Sequence, residues 1–426
     1  MGRVKIPLTI LLLIIVTGCT SIAKGVTEAI LERSDEEDTR VCHVEGPASS
    51  GLQAFMNKQD NEREGGQSAR VLKVLMVHGI GHHIPGYSGR LTEILMRELK
   101  LGLREEDYKE MVLREPDVWD GPLGNLRISR YMNEARTREL LFYELSWSEI
   151  TEAEKKIIEF DDSGEYTFRR TLLNGAIKKF FNSHIPDPLI FLGEARVPIL
   201  ASARQSFCWM TQGDWSDYAA FTDGPCDLYS GSRVRQIKED DYAFITHSLG
   251  SRIVVDALRH FGEQALETTT PKFAEIREIF PTKSYPVYML ANQLPLLELG
   301  QKRATVRGQI ARYCRSDGDL RDQRILAKLS IYAFSDPNDV LSYPIPPKFA
   351  EEYLDSRLCP KVTNIAINVA QPISLLGLGE FANPVAAHGD YDHDERVIAL
   401  IAHGIGQETT ADIVKERCSW LETVGD

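Results

Sequence analysis

The sequence predicts an α/β protein with a mostly parallel sheet, and three observations carry that expectation. Short apolar runs of strand length alternate with stretches whose apolar residues recur at helical spacing. The run 71–77, VLKVLMV, is apolar enough to be buried on both faces, as a central parallel strand is. At 242–258, YAFITHSLGSRIVVDAL, a β-branched and aromatic run passes through a short turn into a helical pattern carrying Ile253, Val254, Ala257 and Leu258.

The chain begins with a short basic stretch, 1–5, and a nearly unbroken apolar run, 6–16. That run is short for the about 20 residues that span a bilayer. Val16-Thr17-Gly18-Cys19 follows and resembles a bacterial lipobox. The resemblance implies that residues 1–18 are a lipoprotein signal peptide and that Cys19 is the lipidated residue. It also implies a lipid-anchored protein of the bacterial cell envelope. Thr20, rather than Asp, after the cysteine resembles the sorting pattern of the outer membrane, with the protein facing the periplasm. Residues 19–70 are poor in apolar runs and rich in Glu, Asp, Ser, Gly and Gln. Such a composition reads as a flexible acidic tether, because it buries too little surface to offset its ordering entropy.

The folded domain is expected over 71–410, with 411–426 as a C-terminal tail. A helix is expected over 89–102, with Leu91, Ile94, Leu95 and Leu99 on one face, and a strand over 139–147. The interval 148–238 is the stretch least matched to a βαβ rhythm and reads as an insertion or cap. Its apolar pieces, 188–192 and 197–200, suit either a lid over a site or plain core. Further strands are expected at 287–291, 327–334 and 364–369, with a charged excursion at 299–324 and a closing helix from near Asp394.

With 62 acidic against 49 basic residues, the net charge of −13 argues against nucleic acid and offers no basic patch for anionic headgroups. Six cysteines remain after Cys19: Cys42, Cys208, Cys226, Cys314, Cys359 and Cys418. In an exported chain they permit three disulfides, in any of about 15 pairings. Cys208 with Cys226 closes the shortest loop. None has zinc-site spacing, and no metal or cofactor is expected.

The chemistry gathers around Ser248. A serine at the point of a strand-turn-helix has its hydroxyl lifted clear of its neighbours, beside the N–H groups that open the helix. The tetrapeptide HGIG occurs at 78–81, directly after the first strand, and again at 403–406, where it reads as a helix end with glycine at the cap. Asp336 and Asp339 lie in SDPNDVLS, after the strand at 327–334, and His388 precedes the closing helix.

Strand-HGxG, strand-Ser-turn-helix, strand-Asp and strand-His, in that order, resemble the α/β-hydrolase fold on its lipase and esterase side. The resemblance covers roughly 71–410. It implies a Ser248–Asp339–His388 triad, with Leu249 and Ile80 N–H groups as the oxyanion hole. Asp339 is favoured over Asp336 because the residues after it are similar to those after the family's acid; Asp336 stands as the alternative, with a turn-forming role of its own. His393 is the alternative base. A metal reading of His388, Asp390, Asp392, His393 and Asp394 is weaker than one of caps and a solvated edge. His82 and His83 read as surface or pocket-rim residues.

One departure stands out. The family's elbow reads Gly-x-Ser-x-Gly, whereas this chain has Thr246 at the first position and only Gly250 at the last. The expected activity is therefore a membrane-tethered serine hydrolase acting on carboxylic esters, lipid esters included. Two alternatives remain open: a non-catalytic envelope lipoprotein that binds a partner, and an acyltransferase or amidase with a non-lipid acyl substrate.

Overall fold

The computed structural model describes residues 40–65, 70–103, 108–162, 170–227, 231–267, 274–374 and 380–423. The expected signal peptide, Cys19 and the expected tether up to residue 39 lie outside the described residues.

The strands are β1 (Cys42–Glu45), β2 (Leu72–Val77), β3 (Gly102–Leu103), β4 (Lys109–Glu115), β5 (Trp119–Met132), β6 (Glu139–Ser146) and β7 (Phe221–Gly224). They continue as β8 (Asp241–His247), β9 (Ser284–Leu290), β10 (Lys328–Ser335), β11 (Pro360–Ile367), β12 (Ile373–Ser374), β13 (Glu380–Phe381) and β14 (Cys418–Leu421). One twelve-stranded sheet runs in the order β14-β1-β11-β10-β9-β8-β2-β6-β5-β4-β7, with β3 paired on β5, and β12–β13 form a separate two-stranded antiparallel sheet. The central run β11-β10-β9-β8-β2-β6 is parallel throughout. Antiparallel pairing enters at β6-β5-β4 and at β1-β11. The expected class, α/β with a mostly parallel sheet, is what the chain adopts.

Side chains alternate across β2 and divide the core into two layers. Leu75 and Val77 join Phe207, Phe244 and Val254 on one face, beneath helices Arg196–Met210 and Gly250–Glu267. Leu72, Val74 and Met76 join Met56, Leu95 and Ile398 on the other, beneath helices Gln53–Glu64, Gly89–Glu98 and Glu395–His403. Among the described residues, no helix is long and apolar enough to cross a membrane.

Three expectations need correction. The stretch expected to be a tether is folded from residue 42 onward: Cys42–Glu45 pairs with β11 and β14, and helix Gln53–Glu64 buries Met56 and Gln59. Nor is 411–426 a tail, since Asp412–Arg417 is a helix and Cys418–Leu421 pairs with β1. Composition misleads at both ends for the same reason. β1 and β14 are held by backbone hydrogen bonds to strands about 320–375 residues away, which polarity does not register. The disulfide Cys42–Cys418 locks this junction. Third, the interval 148–238 is not uniformly a cap. Helix Arg196–Met210 is core, burying Ile199, Ala203, Phe207 and Met210, whereas Leu189 and Leu192 of helix Pro186–Leu192 are exposed. The Cys208–Cys226 pairing forms as expected, and Cys314–Cys359 completes the set.

Candidate active site

Strand β8 ends at His247 and the next helix begins at Gly250, so the intervening turn is two residues long. Ser248 occupies its point with φ +55°, the left-handed region that a residue with a side chain enters only at a cost of about 1–3 kcal/mol. The surroundings impose it: Ser248 N–H donates to Leu290 O at 2.8 Å, and Ser251 Oγ donates to Ser248 O at 2.7 Å. Two glycines make room. A Cβ on Gly250 would lie 2.4 Å from Val77 O, and one on Gly79 would lie 2.5 Å from Ser248 Cβ. Both glycines therefore serve the close approach of the β2 and β8 ends. Thr246 fits because the crowding falls elsewhere: the atoms nearest a Gly250 Cβ belong to Val77 and His78, not to Thr246. Its own side chain is buried in the ladder.

His388 comes from the short helix Pro384–Gly389, opened by Pro384 and by the Asn383 side chain, which accepts from Val385 N–H. Its Nε2 lies 3.1 Å from Ser248 Oγ and its Nδ1 2.7 Å from Asp339 Oδ2. Three groups, from the turn after β8, the loop after β10 and the helix Pro384–Gly389, thus form one hydrogen-bonded chain. Ser248 is fully buried, and the His388 side chain retains 15% exposure. Burial raises the Asp339 carboxyl pKa, but the hydrogen bond and charge of His388 and the N–H of Leu341 outweigh it and hold the group below the usual carboxylate value.

The two aspartates have different surroundings. Asp336 Oδ2 accepts from Val369 and Ala370 N–H at 2.8 and 3.1 Å, and Oδ1 accepts from Asn338 N–H at 2.8 Å. Its carboxylate ties the exit of β11 to the end of β10 and makes no hydrogen bond to His388. His393 pairs instead with Asp392 at a half-exposed position. Asp394 is the N-cap of the closing helix, accepting from Arg396 and Val397 N–H. Among the described residues, no cluster of His, Cys, Asp or Glu could hold a metal ion.

Leu249 and Ile80 flank Ser248 from the helix start and from the loop after β2; both are buried, and neither N–H has an acceptor among the described residues. His82 is on the surface, paired with Glu152 at 2.9 Å, while His83 turns inward and stacks on His78 at 4.2 Å. The surface reading holds for His82, whereas His83 is partly buried beside the 78–81 loop.

Sequence reasoning missed His247. Its Nε2 donates to His388 O at 2.8 Å, so the residue before Ser248 holds the main chain that carries the imidazole. Desolvation pushes its pKa down to about 3, with the neighbouring His388 lowering it further, so the ring is neutral. It also missed Asp187, which reaches the 78–81 loop from helix Pro186–Leu192. The only signal for either is chemical type, since nothing in the local pattern distinguishes them from surface residues.

An imidazole between a hydroxyl and a carboxylate can take the hydroxyl proton while the carboxylate stabilises the resulting imidazolium. No known protein family, curated protein or solved structure matches this chain.

Proposed function

We propose that the chain is a serine hydrolase of the α/β-hydrolase kind, cleaving carboxylic esters through an acyl-enzyme on Ser248. The observation that carries this reading is the continuous Ser248–His388–Asp339 hydrogen-bond chain, at 3.1 and 2.7 Å, with the serine held at φ +55°. In the proposed reaction Ser248 Oγ attacks the acyl carbon and its proton passes to His388 Nε2. Asp339 keeps the other ring nitrogen protonated and correctly turned. The tetrahedral oxyanion is met by the Leu249 and Ile80 N–H groups. His388 then returns the proton to the leaving alcohol, and water completes the cycle.

Lipid esters are included among the substrates. The support is exposed Leu189 and Leu192 on the helix whose Asp187 bonds the 78–81 loop. Three disulfides fit an oxidising compartment, in keeping with a protein tethered to the bacterial envelope through Cys19. A fluorophosphonate probe tests the core of the reading: labelling of the full chain that vanishes in Ser248→Ala supports it, and equal labelling of the variant removes it. A chain-length series of nitrophenyl esters tests the substrate class. A preference confined to short acyl groups removes lipid esters.

A further inference from the structure

We infer that His78, His83 and Asp187 act as a clamp that aims the Ile80 N–H, a positioning device for one oxyanion donor. The inference rests on the hydrolase reading above. Its basis is the hydrogen bonding of two consecutive peptide planes.

The first plane joins Gly79 C=O to Ile80 N–H. His78 Nδ1 lies 2.8 Å from Gly79 O, and a carbonyl only accepts, so the proton is on the ring nitrogen. The other ring nitrogen, Nε2, accepts Trp147 N–H at 3.1 Å, which leaves one neutral tautomer. The second plane joins Ile80 C=O to Gly81 N–H. His83 Nε2 donates to Ile80 O at 3.1 Å, and Gly81 N–H donates to Asp187 Oδ2 at 2.6 Å. This plane is gripped at both ends.

All peptides here are trans, so C=O and N–H of each plane point in opposite directions. Fixing Gly79 C=O therefore fixes the direction of Ile80 N–H. Of the four polar groups in the two planes, Ile80 N–H alone has no partner among the described residues. Gly81 allows the arrangement, since it sits at φ +95° with the His184 ring 2.9 Å from where a Cβ would be.

The gripping groups are themselves held. The His78 ring lies between the rings of His83, at 4.2 Å, and Trp147, at 4.9 Å. Asp187 is fully buried, and its second oxygen is taken by Thr151 Oγ1 at 2.8 Å and Lys155 Nζ at 2.6 Å. Both come from helix Glu149–Glu159, so the donor loop is tied to the helices of the 148–238 interval. The lysine compensates the buried carboxylate charge, which would otherwise be costly there.

Two variants test the clamp. His83→Phe keeps the ring stack and deletes the donor to Ile80 O. Asp187→Asn combined with Lys155→Met weakens the grip on Gly81 without leaving an unpaired buried charge. In each, kcat for a nitrophenyl ester should fall about 10- to 100-fold with KM nearly unchanged. Affinity for an aryl boronic acid, whose tetrahedral adduct needs the same N–H, should weaken by the same factor. Unchanged kcat and boronate affinity in both variants, alongside labelling lost in Ser248→Ala, overturns the clamp and leaves the hydrolase reading standing. A kcat loss matched by a KM rise, at constant boronate affinity, marks a merely structural role and also overturns it. Persistent labelling of Ser248→Ala defeats the hydrolase reading, and the clamp falls with it.

Discussion

His247 donates its Nε2–H to the main-chain oxygen of His388 at 2.8 Å, so the turn that carries the serine also holds the backbone that carries the imidazole. The two rings meet edge to face at 5.1 Å. Serine and imidazole are therefore positioned against each other by a direct bond as well as by the sheet. His247→Phe keeps an aromatic ring and loses the bond. Under the proposed reaction it should lower kcat about 10- to 100-fold, with KM much less affected, in steady-state ester hydrolysis.

The same residue gives a pH prediction. Its pKa falls from 6.5 to about 3 on folding, chiefly by desolvation, with the charges of His388 and His83 lowering it further and the bond to His388 O and the charge of Asp339 opposing. Between these values the unfolded chain binds more protons than the folded one, so stability is present above about pH 6.5 and is lost as the pH falls toward 3. His78 and His83, also lowered by burial, act in the same direction. Urea midpoints measured from pH 7 to pH 4 should drop, with a shallower slope in His247→Gln. A slope identical to that of the wild type would show that His247 does not contribute.

The two aspartates should separate cleanly. Asp339→Asn should cut kcat by about four orders of magnitude at little cost in stability, because the imidazole loses the acceptor that sets its tautomer. Asp336→Ala should leave the activity per folded molecule largely intact. It should destabilise the protein by about 3 kcal/mol, because Val369 and Ala370 N–H lose a carboxylate. Denaturant titration beside steady-state kinetics reads both effects.

Thr246→Gly brings the turn to Gly-x-Ser-x-Gly, yet no gain in activity is expected. The crowded contact of the elbow is Gly250 against Val77 O, which this change does not relieve. Loss of a buried β-branched side chain from a central strand should instead cost about 1–2 kcal/mol, visible as a lower urea midpoint. A higher kcat in the variant would contradict the assigned packing.

Paired serine substitutions at Cys42 and Cys418 test the sheet edge. The bridge spans 376 residues and joins neighbouring strands, β1 and β14. Its loss should destabilise by about 2–4 kcal/mol. Hydrogen exchange should rise first at β1 and β14, with the central strands still protected.

What the sequence determined by itself is local and repetitive: the α/β class, the central strands, the strand-turn-helix at Ser248, the glycines of 78–81 and the closing helix capped by Asp394. Each is encoded within a few residues, by apolar periodicity or by a turn that demands one residue type. Candidate residues for the site were legible through the resemblance of their chain order to that of α/β hydrolases. What only the tertiary structure decided is which side chains meet. Asp336 and Asp339 are alike in a turn sequence; they differ because one faces the β11 exit and the other His388. Asp187 lies 106 residues from Gly81, and His247 lies 141 from His388. β1 and β14 joined the sheet through backbone hydrogen bonds, which nearly any sequence without proline can make. Pairing over such separations leaves no local signature, because it depends on where the sheet brings distant strand ends together.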